Sequence, residues 1–484
     1  MILESGAKAR TIKKYLGKGW IVDACNGHVQ DLPNRGGTKQ DNKAMWSSKE
    51  GELPEPPWSW TERAEKIVTK LRKIAKTNSV DEIYIATDPD REGEFIAWRL
   101  KEIFSDYDSI YRVSFNEITN SAVQEAIKSP REIDMDLVDA AKVRRFMDRL
   151  VGFRCSRFSR SWNLASMGRV QTPTLGFIVE RELERDAHVP IPYHSVKVES
   201  NAVTFKVRFH DKEDDDAWMD DDGKHYPDRT FNGDLAEEVI EQINTAQELI
   251  LESVNEGMNH RKAQPPFTTE SMLRAANGRM GWSIGRTNRV ATALYQAGHI
   301  TYIRTDSTRT SKTARERIRS LIEKEYGSNH LGDGALGPDA KKGSSNVQDA
   351  HEAIRPTQPE IKTLSDANSD QQSLYRLIWG RFTASQMSDS IRERRNMLMK
   401  VENLNQPLYG TSSWRIHAGW EAVYSAQKDV KTEPPKIGFE IGTKWTFRST
   451  EDNPLLTSDE TKPPRRFTES SIIQEMKKAD IGRP

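Results

Sequence analysis

The sequence predicts a multidomain chain of mixed class: an α/β unit with a mainly parallel sheet, then helical and β-rich regions. Three observations lead there. The strand-like run Glu82–Thr87 passes through Asp-Pro-Asp-Arg-Glu-Gly-Glu into a helical pattern with Ile96, Leu100, Ile103 and Phe104 at helical spacing. The stretches HSVKVES and FKVRFHD alternate with period two, as strands of an antiparallel sheet do. The length, 484 residues, exceeds what one core ordinarily organises.

The elements follow in chain order. TIKKYLG and WTERAEKIVTKLRKIA are helix candidates, and with the Glu82 strand they make the α/β alternation that calls for a parallel sheet. From Leu137 to about Leu183 the pattern is helical and basic. Residues 193–257 read as an antiparallel sheet around the acidic stretch DKEDDDAWMDDD. Helical spacing returns over Thr268–Ala297. Gly298 is placed to end that helix, His299–Ile303 to form a short strand, and Thr313 with Glu316 to cap the next helix. The segment SNHLGDGALGPDAKKGSSNVQD reads as a loop. NMLMKVE, SSWRIHA and KWTFRST read as strands that complete the sheet begun near residue 193, so one domain should be made from two separated segments. RFTESSIIQEM predicts a helix from near Thr468 with Ile472, Ile473 and Met476 on one face.

Composition narrows the function classes. No apolar run approaches the roughly 18 residues that a membrane helix needs. The start, MILESGAKAR, has no apolar signal-peptide core, so a soluble, cytoplasmic protein is expected. Cys25 and Cys155 are too few for a disulfide framework or a four-ligand zinc site. Lys and Arg number 72, as do Asp and Glu, but their placement is uneven. Residues 141–175 carry eight Lys/Arg against Asp148 alone, and 261–320 carry twelve against Glu270, Asp306 and Glu316. A charge run by itself is ordinarily a solvated face; two such stretches point to phosphate contacts, which depend on local charge. No G-x-x-x-x-G-K-[ST] motif is present, so nothing argues for a nucleotide-driven motor.

The chemistry-bearing residues lie in three places. Asp88, Asp90, Glu92 and Glu94 crowd four carboxylates into seven residues at a strand end, an arrangement suited to a hard, oxygen-liganded cation such as Mg²⁺. The bland alternative is that Glu92 and Glu94 only favour a helix N-terminus. Glu4 precedes another predicted helix, and Lys8 lies one turn on; alone, the two could be a surface pair. Tyr302 sits in GHITYIRTDST, with Arg304 two residues on and on the same face of an extended segment. A guanidinium there could stabilise a phenolate or hold a phosphate, although a strand tyrosine is more often core. His351, in AHEAIRPT, would ordinarily be structural.

Taken together, ESGAKARTI, NGHVQDLP, TDPDREGE, SFNEIT, RRFMDRLVGF, GRVQTPTL, PPFTTESML, GHITYIRTDS, AHEAIRPT and RFTESSIIQEM…IGRP, in this order, resemble the type IA DNA topoisomerases from end to end. The resemblance implies a TOPRIM α/β domain followed by the toroidal type IA core. The implied division is 1–133 TOPRIM; 134–190 with 460–484 helical and DNA-binding; 191–258 with 380–459 β-rich hinge; and 259–379 helical, carrying the tyrosine. The implied activity is ATP-independent: a transient single-strand break through a 5′-phosphotyrosyl bond, relaxing negatively supercoiled DNA. Tyr302 matches the nucleophile, Arg304 the arginine beside the scissile phosphate, and Glu4 and Lys8 the groups that assist at the leaving 3′ oxygen. His351 matches a histidine near the nucleophile. Asp88, Asp90 and Glu92 match the Mg²⁺ carboxylates, and Arg144, Asp148, Arg169 and Gln171 positions that line a single-strand groove. The partner implied is a single-stranded segment of duplex DNA, met by a monomer.

This sequence departs from the family at Gly6, where a proline is usual, and it ends within IGRP, a block the family continues, so a fragment is expected. NGHVQDLP leans towards topoisomerase I, whereas GRVQTPTLGF also suits a topoisomerase III-like decatenase. The topoisomerase half of a reverse gyrase would need a P-loop partner. A TOPRIM primase or nuclease would use Glu4, Asp88 and Asp90 but has no use for Tyr302. A non-catalytic single-stranded DNA-binding fragment is the third class.

Overall fold

A computed structural model of the chain describes residues 1–33, 56–333, 352–424 and 432–482. The N-terminal sheet has four parallel strands: β1 (Ile2–Leu3), β2 (Asp23–Ala24), β5 (Glu82–Ala86) and β6 (Ser109–Arg112), in the order β2-β1-β5-β6. A short antiparallel pair, β3 (Gln30–Asp31) with β4 (Ser59–Trp60), lies beside it. Parallel neighbours need crossover helices, here α1 (Gly6–Leu16), α2 (Ala64–Thr77) and α3 (Arg91–Ile103). Each turns an apolar face to the sheet: Ile12 and Leu16 from α1, Val68 and Leu71 from α2, Ile96, Ala97 and Leu100 from α3. Because β1 and β5 run the same way, with Ile2 beside Ile85 and Leu3 beside Ala86, their carboxyl ends deliver Glu4 and Asp88 to one edge.

After α4 (Asn120–Lys128) the chain enters the long basic helix α5 (Met135–Ser161) and then α6 (Gln171–Ala187), none of whose residues is buried. A seven-stranded sheet follows, built from β7 (Pro192–Ser200), β8 (Val203–Val207), β9 (Glu248–Arg261), β10 (Ser390–Lys400), β11 (Leu408–His417), β12 (Lys444–Thr446) and β13 (Leu455–Glu460). Its order, β12-β9-β10-β11-β8-β7-β13, interleaves two chain segments separated by α8 (Thr269–Met280), α9 (Ile284–Gln296), α10 (Lys312–Tyr326) and α11 (Ser369–Ala384). The last helix, α12 (Glu469–Lys478), is capped by Thr468 and meets α8 and α6.

The structure corrects several local expectations. A helix, α7 (Gly233–Ala246), interrupts the region read as sheet; Ala236, Val239 and Ile243, at spacings of three and four, are its buried stripe. Ser311, not Thr313, caps α10, because its hydroxyl accepts from the amide of Ala314. Residues 299–303 make no strand: their amides go to separate partners, Thr301 to Arg355 and Tyr302 to Asn116, with one isolated bridge at Ile300.

A single apolar core joins the two units that matter most. Leu3, Ala9, Ile12 and Ile118 of the N-terminal unit pack with Phe267, Met272, Leu294, Tyr295, Tyr302 and Tyr375 of the helical unit. Burial at roughly 25 cal/mol per Å² makes such shared apolar area a strong tie. It holds the 302 segment against the carboxyl edge of the parallel sheet. Among the described residues no helix is long and apolar enough to cross a membrane.

Candidate active site

The loop between β5 and α3 is held by contacts within the N-terminal unit. Asp90 caps α3 with one carboxylate oxygen, which accepts from the Gly93 amide at 2.7 Å. Gly93 is required here, because a Cβ would stand 2.0 Å from the Asp88 carbonyl oxygen. Arg112, on β6, braces the loop from behind: its guanidinium donates to the carbonyls of Thr87 (2.9 Å), Asp88 (2.8 Å) and Val113 (2.6 Å). Glu94, fully buried, balances that charge at 2.8 Å and also meets Arg131. Sequence reasoning missed this brace. The available signal was a glutamate within the otherwise apolar run Gly93–Ala97, since a buried carboxylate demands a cation.

Onto this loop the helical unit brings Tyr302. The phenol donates to the second oxygen of Asp90 at 2.6 Å, and Arg304 reaches the same oxygen at 3.1 Å. Tyr302 is 3% exposed and packs edge-on against Tyr295, with ring centres 5.2 Å apart. Lys8, buried in α1, ion-pairs with Asp88, and its ammonium lies 4.8 Å from the Tyr295 ring centre. Glu4 accepts from the Asp88 amide at 3.4 Å.

These groups set one another's protonation. Burial, then the charges of Asp90 and Asp88, push the Tyr302 phenol far above its ordinary range, with Arg304 opposing. Arg304 is held above its usual value: burial works against its charge, but Tyr302 and Asp90 outweigh it. Burial and the Asp88 carboxylate raise Glu4, while Lys8 lowers it. The carboxylates of Asp88 and Asp90 are hard oxygen donors of the kind that a divalent cation takes. Asp88 and Asp90 stand together in this cluster.

Glu92 does not join them. Its carboxylate accepts from Arg145 at 2.8 Å and lies 3.3 Å from His28 Nε2. Burial alone would raise it; the His28 hydrogen bond and the Arg145 charge prevail and lower it to about 2. Arg144 and Arg169 hold Asp148 between them, at 3.8 and 2.7 Å, and Gln171 donates to the Ser166 carbonyl at 2.6 Å. Burial, then the charge of Arg144, lowers Arg91, with Glu92 and Asp90 opposing. His351 lies outside the described residues.

Comparison with known proteins gives the family. The profile of the Toprim domain matches residues 1–118, and that of the DNA topoisomerase family matches residues 132–484. The chain belongs to the type IA DNA topoisomerases. It is 35% identical to DNA topoisomerase 1 of Thermotoga maritima, over all of this chain and 72% of that protein. It is 32% identical to DNA topoisomerase 1 of Escherichia coli K12, over all of this chain and 56% of that protein. The solved structure of full-length topoisomerase I from Thermotoga maritima superposes with a TM-score of 0.79 at 32% identity, covering all of this chain and 76% of that one. This type IA chain therefore spans between about half and three quarters of the length of these relatives.

Proposed function

We propose that the chain opens one strand of DNA through Tyr302, holds it as a 5′-phosphotyrosyl ester, and reseals it without ATP, relaxing negatively supercoiled DNA. The observation that carries this reading is the convergence on Asp90: a phenol and a guanidinium from one unit meet the carboxylate cluster of another. Attack by the Tyr302 oxygen forms a P–O bond while the P–O3′ bond breaks. The phenolic proton has Asp90 as its acceptor, and the departing 3′ oxygen takes a proton from Glu4, whose raised carboxyl supports that role. Arg304 and Lys8, paired with Asp90 and Asp88, would stabilise the charge that develops on the phosphate. Because the ester conserves the phosphodiester bond energy, resealing reverses the same step. The Tyr302 phenol is strongly protonated in the strand-free site, so it becomes a nucleophile only when DNA and cations alter its surroundings.

Asp88 and Asp90 would hold Mg²⁺, which supplies positive charge beside the reacting phosphate. Arg144, Asp148, Arg169 and Gln171 would line the approach of a single strand to this site. The division at 1–133, 134–190 with 460–484, 191–258 with 380–459, and 259–379 belongs to the same reading, as does action as a monomer. The test is a denaturing-gel assay for covalent protein–DNA adduct. Tyr302→Phe should abolish the adduct and leave oligonucleotide affinity within about threefold. A Phe variant that is still trapped on DNA would remove Tyr302 from the role.

A further inference from the structure

We propose that Glu92 is a strut between the N-terminal unit and the basic helix α5, and positions that helix, rather than serving as a ligand of the metal. The inference rests on the topoisomerase reading above and narrows which residues hold its cation.

Arg145 of α5 enters a socket assembled from two separate parts of the N-terminal unit. Glu92 Oε2 receives one guanidinium arm at 2.8 Å, and Asp31 Oδ2 takes the other at 3.2 Å. Both ring nitrogens of His28 stand 3.1 Å from Arg145, and the Phe95 ring centre lies 4.4 Å from the guanidinium carbon. Arg145 is 14% exposed and Glu92 25%, so the pair is largely shielded from water and expensive to break. The neighbouring turns of α5 dock on the same side. Arg149 donates to the Pro33 carbonyl at 2.6 Å, and the Lys142 ammonium lies 4.2 Å from the Trp98 ring centre. Arg144 and Asp148 use another side of the helix, where Arg169 meets them. One side of α5 is thus bolted to the N-terminal unit, and that bolt sets where the groove side stands relative to Tyr302.

Asp88, Asp90 and Glu92 are not a set of three ligand atoms within 4.8 Å of one another, and neither are Glu4, Asp88 and Asp90, so it is the Arg145 and His28 contacts that set Glu92 apart. Among the described residues, the group of three such side chains with ligand atoms within 4.8 Å of one another is His210, Asp214 and Asp216, in the acidic loop. A cation at Asp88 and Asp90 would have to pull Glu92 away from two partners to recruit it.

The test measures Mg²⁺ binding by calorimetry and single-stranded oligonucleotide binding by fluorescence anisotropy at one fixed salt concentration. Glu92→Gln should keep Mg²⁺ affinity within about twofold, whereas Asp88→Asn should lose about tenfold or more. Glu92→Gln and Arg145→Gln should each weaken the oligonucleotide about fivefold, and the double variant no further, because both remove one contact. Glu92→Asp is the second variant, should Glu92→Gln not fold. Its shorter carboxylate keeps the charge but falls short of Arg145, so it should also keep Mg²⁺ and lose oligonucleotide affinity. A Glu92→Gln loss of Mg²⁺ as large as that of Asp88→Asn, or oligonucleotide losses that add in the double variant, would overturn the proposal. Parallel assay of the wild-type chain separates the two readings. If it forms the Tyr302 adduct and binds Mg²⁺, such results count against the strut alone; if it does neither, the topoisomerase reading itself fails.

Discussion

Tyr302 and Asp90 lie 212 positions apart in sequence and 2.6 Å apart in space. The same carboxylate caps α3 through Gly93 and receives Arg304. Asp90 therefore couples three things: the start of a helix, the protonation of the phenol, and the docking of the helical unit on the parallel sheet.

Substitutions at Asp90 should separate capping from charge. Asn caps a helix about as well as Asp, whereas Ala costs about 1 kcal/mol. We expect Asp90→Ala to be less stable than Asp90→Asn by about that amount in denaturant unfolding. Both should lose Mg²⁺ affinity and adduct formation. Equal stability of the two variants would show that the cap contributes nothing.

The buried pair Glu94–Arg112 should be the costliest charge contact to break. Removing one partner of such a pair leaves the other charge uncompensated and costs about 3–5 kcal/mol. Glu94→Gln should therefore unfold at markedly lower denaturant, and the brace it supports should loosen around Asp88. Its carboxyl is lowered in the folded chain: burial opposes this, but Arg131 and Arg112 prevail. That stabilisation is complete above an unfolded value of about 4.3 and fades as acid takes the pH through the folded value. In Glu94→Gln the acid limb of the stability–pH profile should flatten; an unchanged limb would contradict the assignment.

Gly93→Ala should displace the Asp88–Asp90 loop. The new methyl would overlap the Asp88 carbonyl, and backbone must move to relieve it, at about 1–3 kcal/mol. A variant with wild-type stability and unchanged Mg²⁺ affinity would mean that the loop yields more easily than this packing allows.

Cys25 provides a pH marker in the N-terminal core. Burial pushes its thiol up to about 12. An unfolded thiol ionises near 8.5, so between about pH 8.5 and 12 the folded state binds more protons and stability falls as pH rises. At pH 8 Cys155, which is partly exposed, should be alkylated first, with Cys25 reacting only on unfolding. Mass spectrometry after brief iodoacetamide treatment distinguishes the two sites, and rapid native labelling of Cys25 would refute its burial.

The sequence by itself determined the local elements and the chemistry they carry. Apolar spacing announced the Glu82 strand, the helix after it and the helical stretch from Thr268, which the structure breaks at Gly281 into α8 and α9, because backbone period and burial are local properties. The carboxylate cluster and the Tyr-x-Arg segment stood out because charge and nucleophile types are visible without a fold. The helix α7 was legible too, in Ala236, Val239 and Ile243, but the alternating strands before it masked that stripe. What only the tertiary structure decided are the long-range partners. Sequence order cannot say that the phenol of Tyr302 meets Asp90, that Arg112 carries Glu94, or that Arg145 takes Glu92. Each pairing depends on how two units pack through the shared core of Leu3, Ile12, Tyr295 and Tyr302, and on the desolvation that makes every buried charge find a partner.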